Sequence, residues 1–330
     1  MSADEVRDEV QLTNLDQPLF DGAEATKRDL VDYLDAVADR ILPELSQRPL
    51  SVVRMRPGQQ PFMQKNLPKY APDWIARTSV WAHASQRDVA YALCDDRRTL
   101  LWFANQRAVE YHPTLVRADD WAHTTHLVLD LDPPEGDDFG LVVRAAELVR
   151  ATLDAAGLSG AVKTSGAKGL HIFVPIEPTP MPDVAAATRA IAARAERLDP
   201  ALATTAFIRE DRHGKVFLDP TRVGGATVVS AYSPRLRPGC PVSYPLAWSA
   251  LGDVTPRDFT VHTAPGLLGD ADPWAAHMPA PQAIPADLIS EGHTIPIPRL
   301  QALQYGRERK RRERRGDPRP EQLGETAVDQ

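Results

Sequence analysis

The middle of the chain alternates between two hydrophobic periods, which predict alternating strands and helices. The segment 125–131 is rich in apolar and β-branched residues and ends in acids, which predicts a buried strand. Apolar residues then recur at helical spacing after Asp137 or Asp138. A second helical pattern starts at Asp183, and the residues predicted to face inward are Val184, Ala187, Ile191, Ala195 and Leu198. Short apolar runs predict further strands at 161–164, 170–176, 216–218 and 226–231.

The resulting order is β-α-β-β-α-β, the split unit of ferredoxin-like folds, which RNA-recognition modules (RRM) share. Before it, Thr26 begins a helical pattern that continues to Leu42, and the proline- and arginine-rich stretch 49–74 predicts strand and loop. Residues 100–110 predict a helix that ends before Pro113. We therefore expect an α+β fold, with an N-terminal α/β subdomain packed against an RRM-like core.

The predicted organisation follows from these patterns and from changes in composition. Apolar density falls and prolines accumulate after Pro273, and the last 24 residues are charged. We expect an acidic tail at 1–9, the N-terminal subdomain at 10–120, the core at 121–274, a proline-rich extension at 275–306 and a disordered tail at 307–330.

Composition places the chain among soluble globular proteins. Of its 330 residues, 43% are hydrophobic and 25% are charged, which allows one large core or two adjoining ones. No run approaches the roughly 18 apolar residues of a membrane span, and residues 1–11 lack the apolar stretch of a signal peptide. The two cysteines, Cys94 and Cys240, exclude a disulfide scaffold and a four-cysteine zinc site, and they fit a reducing cytoplasm.

Charge is unevenly distributed along the chain. The net charge of −7 argues by itself against a nucleic-acid partner. However, residues 48–77 carry six basic side chains against Asp73 alone, and residues 307–315 carry seven against two acids. These local excesses keep a polyanion site open, and we expect the second basic segment to attract DNA without sequence specificity.

Two neighbouring acids end the first predicted strand of the core. Asp130 and Asp132 are two residues apart, so their carboxylates project from the same face of a strand. Carboxylates held side by side repel each other, and a divalent cation normally offsets that repulsion. The alternative is two solvated acids at a strand end. Asp219 ends another predicted strand of the same unit and would supply a third carboxylate to a two-metal site.

A glycine-rich turn joins two of the predicted strands. Residues 165–171 read Ser-Gly-Ala-Lys-Gly-Leu-His, in which Gly166 and Gly169 allow a tight turn and Lys168 adds positive charge. This combination suits phosphate, although its spacing is not that of a Walker A loop. The alternative is a hairpin turn whose lysine is only solvated. Arg235 and Arg237 are further candidates for neutralising phosphates, each more often a surface residue unless the fold brings them together.

Together these segments resemble the archaeo-eukaryotic primase superfamily, and in particular the polymerase domain of bacterial ligase D and its stand-alone relatives. Asp-Leu-Asp-Pro-Pro, followed about thirty residues later by Lys-Thr-Ser-Gly-Ala-Lys-Gly-Leu-His, is highly specific in combination. The similarity extends from about Val10 to about Trp274 and implies an archaeo-eukaryotic primase fold. The matching strings are 61–66, 100–102, 110–112, 126–135, 163–171, 216–220 and 231–235.

The resemblance assigns roles to individual residues. The three metal-binding catalytic carboxylates of the family match Asp130, Asp132 and Asp219, which would hold two Mn²⁺ or Mg²⁺ ions. The expected contacts to the incoming nucleotide are Lys65, His112, Ser165, Lys168, Gly169, His171 and Arg235. The expected contacts to template or DNA are Phe62, Met63, Arg54, Arg56, Lys69 and Arg237.

The implied activity is DNA-repair nucleotidyl transfer. Such enzymes add nucleotides, with ribonucleotides favoured, to a primer 3'-hydroxyl and fill short gaps or extend DNA ends. The expected partners are gapped or broken DNA with a 5'-phosphate, NTP or dNTP, and end-joining or excision-repair proteins. We expect a monomer that acts away from membranes.

Several positions depart from the family pattern. Met63 stands in place of the second stacking aromatic, and Gln17 in place of an early lysine. The asparagine usual after Asp219 is missing, which weakens the case for Arg222 as a nucleotide contact. No Lys-x-Asp-Gly ligase motif is present, so nick sealing is not expected.

Two other functions compete with the polymerase reading. The Asp-x-Asp pair resembles the opening of haloacid-dehalogenase phosphatases, but Pro134 stands where that family has Thr or Val, and residues 165–171 would be unexplained. A non-catalytic module that binds DNA ends would fit the departures from the pattern. Against it, three clustered acids without metal would only repel DNA.

Overall fold

The structure, a computed structural model, describes residues 5–56, 58–82, 86–136, 138–223 and 227–297. Asp137 and the basic segment 307–315 lie outside the described residues. The strands are β1 (Glu5–Arg7), β2 (Val10–Leu12), β3 (Leu50–Arg54), β4 (Phe62–Gln64), β5 (Arg77–Ala82), β6 (Arg87–Ala92), β7 (Ala108–Pro113), β8 (His123–Asp132), β9 (Ala161–Thr164), β10 (Leu170–Pro180), β11 (Ala203–Thr204), β12 (Val216–Asp219) and β13 (Pro245–Leu246). The helices are α1 (Lys27–Ala36), α2 (Ala38–Leu45), α3 (Arg97–Asn105), α4 (Phe139–Ala155), α5 (Met181–Leu198), α6 (Ala264–Leu268), α7 (Pro273–His277) and α8 (Ala286–Thr294).

A six-stranded sheet forms the larger half of the fold. Its strand order is β11-β12-β8-β10-β9-β13, and every neighbouring pair is antiparallel except β11 with β12. Helices α4 and α5 both pack on β8 and β10. Because β8 lies inside the sheet and is covered by helices, its residues 127–131 are all buried, as the continuous apolar run predicts.

The two long helices match their predicted patterns closely. Asp138 accepts a hydrogen bond from the backbone N–H of Leu141 at 3.3 Å, which makes it the N-cap of α4. The predicted inward residues of α5 are buried from Val184 to Ala195. Leu198, also predicted to face inward, is instead 59% exposed, because the helix ends at that residue.

A second sheet is built by the first third of the chain. Strands β4, β3, β6 and β5 follow one another, and β7 also pairs with β3. The predicted helix at 100–110 is wrong in its second half, where residues 108–110 belong to β7. Arg107 adopts a φ of 58°, a left-handed conformation that ends the helical path after α3.

The predicted strand at 226–231 is absent from residues 227–231. This segment runs beside β7 instead, and only an isolated bridge between Thr114 and Thr227 has strand geometry. Ser230 N donates to Tyr111 O at 2.9 Å, and Tyr111 N donates to the Ser233 hydroxyl at 2.9 Å. These bonds satisfy the backbone of both segments and join the two sheets.

The ends of the described chain are more ordered than their composition predicts. Residues 5–7, assigned to an acidic tail, form β1, where Arg7 contacts Asp32 at 2.6 Å. The predicted helix at 26–42 starts at the Thr26 cap but is interrupted at Val37. The proline-rich extension contains α8, which packs on α5. No helix among the described residues is long and apolar enough to cross a membrane.

Candidate active site

Four charged or polar side chains lie in one row across the six-stranded sheet. Asp219 of β12 pairs with Asp130 of β8, Asp130 pairs with His171 of β10, and His171 pairs with Lys163 of β9. Directly paired residues of neighbouring strands share a face of the sheet, and so do residues two apart on a strand. Asp132 therefore projects on the same side as the row, and the three predicted aspartates are brought together.

The aspartates form an electrostatically unbalanced cluster. Burial raises the pKa of Asp132 from 3.8 to about 6, and the charges of Asp130 and Asp219 add to this effect. Burial acts on Asp130 in the same direction. There, however, His171 and Arg222 outweigh burial and hold the pKa of the carboxyl well below its usual range. Negative charge is thus in excess on the side of Asp132.

Arg222 is the internal counter-cation of this cluster. It lies on a short turn, Thr221–Val223, that directly follows β12. Its guanidinium contacts Asp130 Oδ2 at 2.6 Å and Asp219 Oδ2 at 3.4 Å. The same turn fixes Asp219, because the backbone N–H and hydroxyl of Thr221 donate to Asp219 Oδ1 at 2.8 and 2.6 Å. Sequence analysis considered Arg222 as a nucleotide contact and did not identify it as a partner of the aspartates.

His171 is held between Lys163 and Asp130. Lys163 Nζ is fully buried and lies 2.9 Å from His171 Nδ1 and 2.6 Å from the Ser243 hydroxyl. Burial lowers the pKa of His171 to about 4, and Lys163 adds to this effect. The ring is therefore neutral near pH 7. Because the ionised carboxylate of Asp130 can only accept, the ring proton resides on Nε2, which lies 3.2 Å from Asp130 Oδ1.

The glycine-rich turn approaches the row from the end of β9. The Ser165 hydroxyl accepts hydrogen bonds from the backbone N–H groups of Ala167 and Gly169, both at 3.2 Å, and so closes the turn. A Cβ atom on Gly169 would lie 2.0 Å from the carbonyl oxygen of Leu131, between the two catalytic-candidate acids of β8. Only glycine allows this approach of turn and strand.

Glu110 contacts two of the predicted nucleotide-binding residues, His112 and Arg235. Its Oε2 lies 2.8 Å from His112 Nε2, and its Oε1 accepts the backbone N–H of Leu236 at 2.9 Å. Arg235 Nε lies 3.2 Å from the same Oε1, within ion-pair distance but without hydrogen-bond geometry. The other end of the Arg235 guanidinium donates through Nη1 to the carbonyl oxygen of Ser165.

These contacts shift the pKa of both partners. Burial would raise the pKa of Glu110, but His112 and Arg235 outweigh it and lower the value to about 2. Burial lowers the pKa of His112, although Glu110 opposes this. The carboxylate is therefore charged at neutral pH.

A cleft of about 800 Å³ opens beside the aspartates. Four residues that sequence analysis assigned to metal, nucleotide or DNA line it together: Asp132, Ser165, Lys168 and Arg237. The other charged or titratable lining residues, which sequence analysis did not identify, are the basic Arg209, Arg212, His213 and Lys215 and the acidic Glu135 and Glu210. A cleft with carboxylates at one edge and cations along its walls suits a phosphate-rich ligand bound with metal.

The remaining predicted contacts lie on the other sheet. Phe62 and Met63 are neighbours on β4 and project to opposite faces, so they are not a stacked pair. The Arg54 and Arg56 guanidinium groups lie 5.8 and 5.2 Å from the Phe62 ring. Lys65 and Lys69 are exposed just beyond β4.

Arg54 is the exception among these residues, because it is buried. Its Nε donates to the carbonyl oxygen of Gln106 at 2.8 Å, and its Nη1 donates to Gln64 and to the Tyr70 hydroxyl at 2.8 and 2.9 Å. Arg54 therefore braces the ends of β3 and β4 and supports the ring of Phe62.

Asp130, Asp132 and Asp219 offer carboxylate oxygens whose negative charge is in excess. Such oxygens are the ligands that hard divalent cations prefer. A ready-made cluster of three or more metal-ligating side chains is not found in the described part of the chain. In this structure the two oxygens of Asp130 contact His171 (Oδ1, 3.2 Å) and Arg222 (Oδ2, 2.6 Å).

Comparison with known proteins places this site in a family. The model of the LigD primase-polymerase domain matches residues 26–274. The chain belongs to this family. Membership removes the phosphatase alternative, because the LigD primase-polymerase match includes both the Asp-x-Asp strand and the glycine-rich turn.

Relatives of the LigD primase-polymerase family show how far the similarity extends. The bifunctional non-homologous end joining protein LigD of Bacillus subtilis is 33% identical over 264 residues, covering 78% of this chain and 42% of that protein. The multifunctional end joining DNA repair protein LigD of Mycobacterium tuberculosis is 35% identical over 271 residues, covering 78% of this chain and 35% of that protein. The chain thus spans about two fifths or less of these relatives.

A solved structure of the family also matches. The polymerase domain of Mycobacterium tuberculosis ligase D, in complex with DNA, superimposes with a TM-score of 0.74 at 32% sequence identity. The match covers 80% of this chain and 95% of that domain. The mixed α+β fold described above is therefore the fold of a LigD polymerase domain.

Proposed function

We propose that this chain is a DNA-repair primase-polymerase that transfers nucleotides from NTP or dNTP to a primer 3'-hydroxyl on gapped or broken DNA. The observation that carries the proposal is the position of Asp130, Asp132 and Asp219 on one face of the sheet, beside a cationic cleft. Family membership and the DNA-bound neighbour support it. End joining is the expected context, and a preference for ribonucleotides is part of the proposal.

The chain's own residues divide the work of this reaction. The primer 3'-oxygen attacks the α-phosphorus of the nucleotide, the bond to the β-phosphate oxygen breaks, and pyrophosphate leaves. Ser165, Lys168 and Arg235 would bind the triphosphate, and His171 would hold Asp130 in place. The three aspartates would hold two Mn²⁺ or Mg²⁺ ions, which neutralise charge on the attacking and leaving oxygens when bound. Arg222 would then exchange its contacts to Asp130 and Asp219 for contacts to phosphate.

We also propose that the site stands on an RRM-like core. Strands β12, β8, β10 and β9 are adjacent in that order with antiparallel neighbours, and the helices α4 and α5 connect them. This arrangement supports a β-α-β-β-α-β unit whose two central strands carry Asp130 and His171.

The template strand is proposed to pass β4 on the side of Phe62, along Phe62, Arg56 and Lys69. Replacing Phe62 by alanine is expected to weaken binding of gapped DNA about tenfold, because one base loses its stacking partner. Fluorescence anisotropy with labelled DNA measures this. Trp248→Ala, which removes another ring beneath an arginine (Arg150, 5.2 Å away), is the matched control and should leave DNA affinity unchanged. Equal loss in both variants would contradict the assignment.

The experiment that tests the function is extension of a labelled primer on gapped DNA with a 5'-phosphate. Reactions contain NTP or dNTP with MnCl₂ or MgCl₂, and the control is the Asp130→Ala, Asp132→Ala double variant. Template-matched extension that is absent in the double variant is the expected result, with ribonucleotides used more efficiently. Tight gap binding without extension would instead identify a DNA-binding module.

A further inference from the structure

Two predicted nucleotide contacts, which come from different segments of the chain, share one carboxylate partner. His112 lies on β7, whereas Arg235 lies on the segment 227–236 that runs beside it. Both contact the Glu110 carboxylate, His112 at 2.8 Å through Oε2 and Arg235 at 3.2 Å through Oε1. The carboxylate is 9% exposed, so little water competes for it.

Arg235 crosses the glycine-rich turn in close contact with it. A Cβ on Gly166 would lie 2.5 Å from Arg235 Cγ, so the arginine crosses the turn where glycine leaves space. Its Nη1 donates to the carbonyl oxygen of Ser165 at the turn, and its Nε faces Glu110. The guanidinium of Arg235 is therefore held at two points, by Ser165 at the turn and by Glu110 on β7.

A negative charge at this place is unexpected in a site for a triphosphate. On charge alone, Glu110 would repel the ligand and weaken its binding. Its benefit must therefore come through the groups that it holds. We propose that Glu110 is a positioning residue for the nucleotide site, which fixes His112 and Arg235 in the orientation that receives the triphosphate. This inference rests on the proposed function and assigns to it a residue that touches neither nucleotide nor metal.

The direction in which the KM for ATP changes when Glu110 is replaced tests the inference. Glu110→Gln keeps the size of the side chain and an acceptor for the Leu236 N–H, but it removes the negative charge that orients His112 and Arg235. We expect the KM for ATP in gap filling with MnCl₂ to rise about tenfold or more, with a smaller change in kcat. The Kd for gapped DNA, measured by anisotropy without nucleotide, should stay the same. An unchanged or lower KM for ATP would overturn the inference, because it is the result expected of a merely repulsive charge.

A double-variant cycle separates positioning from a general loss of structure. In an Arg235→Ala, His112→Ala background, Glu110→Gln should change the KM for ATP far less than it does in the wild type. An equal effect in both backgrounds would overturn the inference. If Glu110→Gln does not fold, Glu110→Asp, which keeps the charge on a shorter side chain, should still raise the KM for ATP while its DNA affinity is retained. A wild type that extends no primer would overturn the proposed function itself, an outcome distinct from all of these.

Discussion

Asp132→Asn is expected to abolish primer extension, by about 1,000-fold or more, while making the metal-free protein more stable. Activity is lost because a neutral amide cannot replace a carboxylate toward a divalent cation. Stability rises because burial, together with the charges of Asp130 and Asp219 beside it, raises the pKa of Asp132 from 3.8 to about 6 in the folded state. Above about pH 6, Asp132 is ionised in the folded protein, and this ionisation lowers the free energy of unfolding.

The pH dependence of this gain follows from the sign of the shift. A carboxyl whose pKa is raised on folding destabilises the native state fully above about pH 6, and the effect disappears as pH falls below 3.8. Thermal unfolding in EDTA should show a higher midpoint for Asp132→Asn, by about 2 °C or more at neutral pH and by nothing near pH 3.8. Glu147→Gln, an exposed carboxylate on α4, is the control. A lower midpoint at neutral pH would show that the carboxylates do not repel one another in the folded chain.

Gly169→Ala should be the most damaging single methyl group that can be added near the site. The new Cβ would lie 2.0 Å from the carbonyl oxygen of Leu131, which is backbone and cannot rotate away. Either β8 moves and carries Asp130 and Asp132 out of place, or the turn opens. We expect a loss of about 3 kcal/mol in unfolding free energy and of nearly all extension activity.

Urea denaturation and the extension assay measure the two losses. Gly252→Ala is the matched control, because nothing lies within 4 Å of a Cβ at that position. It should change stability by about 0.5 kcal/mol at most. A Gly169→Ala protein with wild-type stability and activity would mean that turn and strand do not approach as closely as described.

Strong local periodicity explains which elements could be predicted from the sequence. The strand β8 and the helices α4 and α5 were placed within a few residues, because their buried faces repeat over many turns or pairs. The predicted helix at 100–110 was wrong after Arg107, because the apolar residues Ala108 and Val109 fit either a helix or a strand. The strand predicted at 226–231 is absent from residues 227–231, because backbone N–H groups of this segment donate to β7, more than a hundred residues earlier in the chain.

The residues of the candidate site likewise divide into those with a local signal in the sequence and those without one. Asp130, Asp132 and the turn at 165–171 were identified because each is a local motif. Glu110 and Lys163 received no role, and Arg222 was not linked to the aspartates, because these contacts are made across strands rather than between neighbours in the chain. A lysine inside the apolar strand β9 was the one available signal, and only the pairing with His171 explains it.

The row across the sheet has a consequence for how the protein matures. Its members lie at positions 130, 163, 171 and 219, so they meet only after strands distant in sequence have paired in the correct register. A slip of one residue would turn a member to the opposite face of the sheet. Pairings of this kind form slowly and late in folding. Enzymatic competence should therefore emerge only with completion of the sheet, and a nascent or misfolded chain would present isolated acids that catalyse nothing.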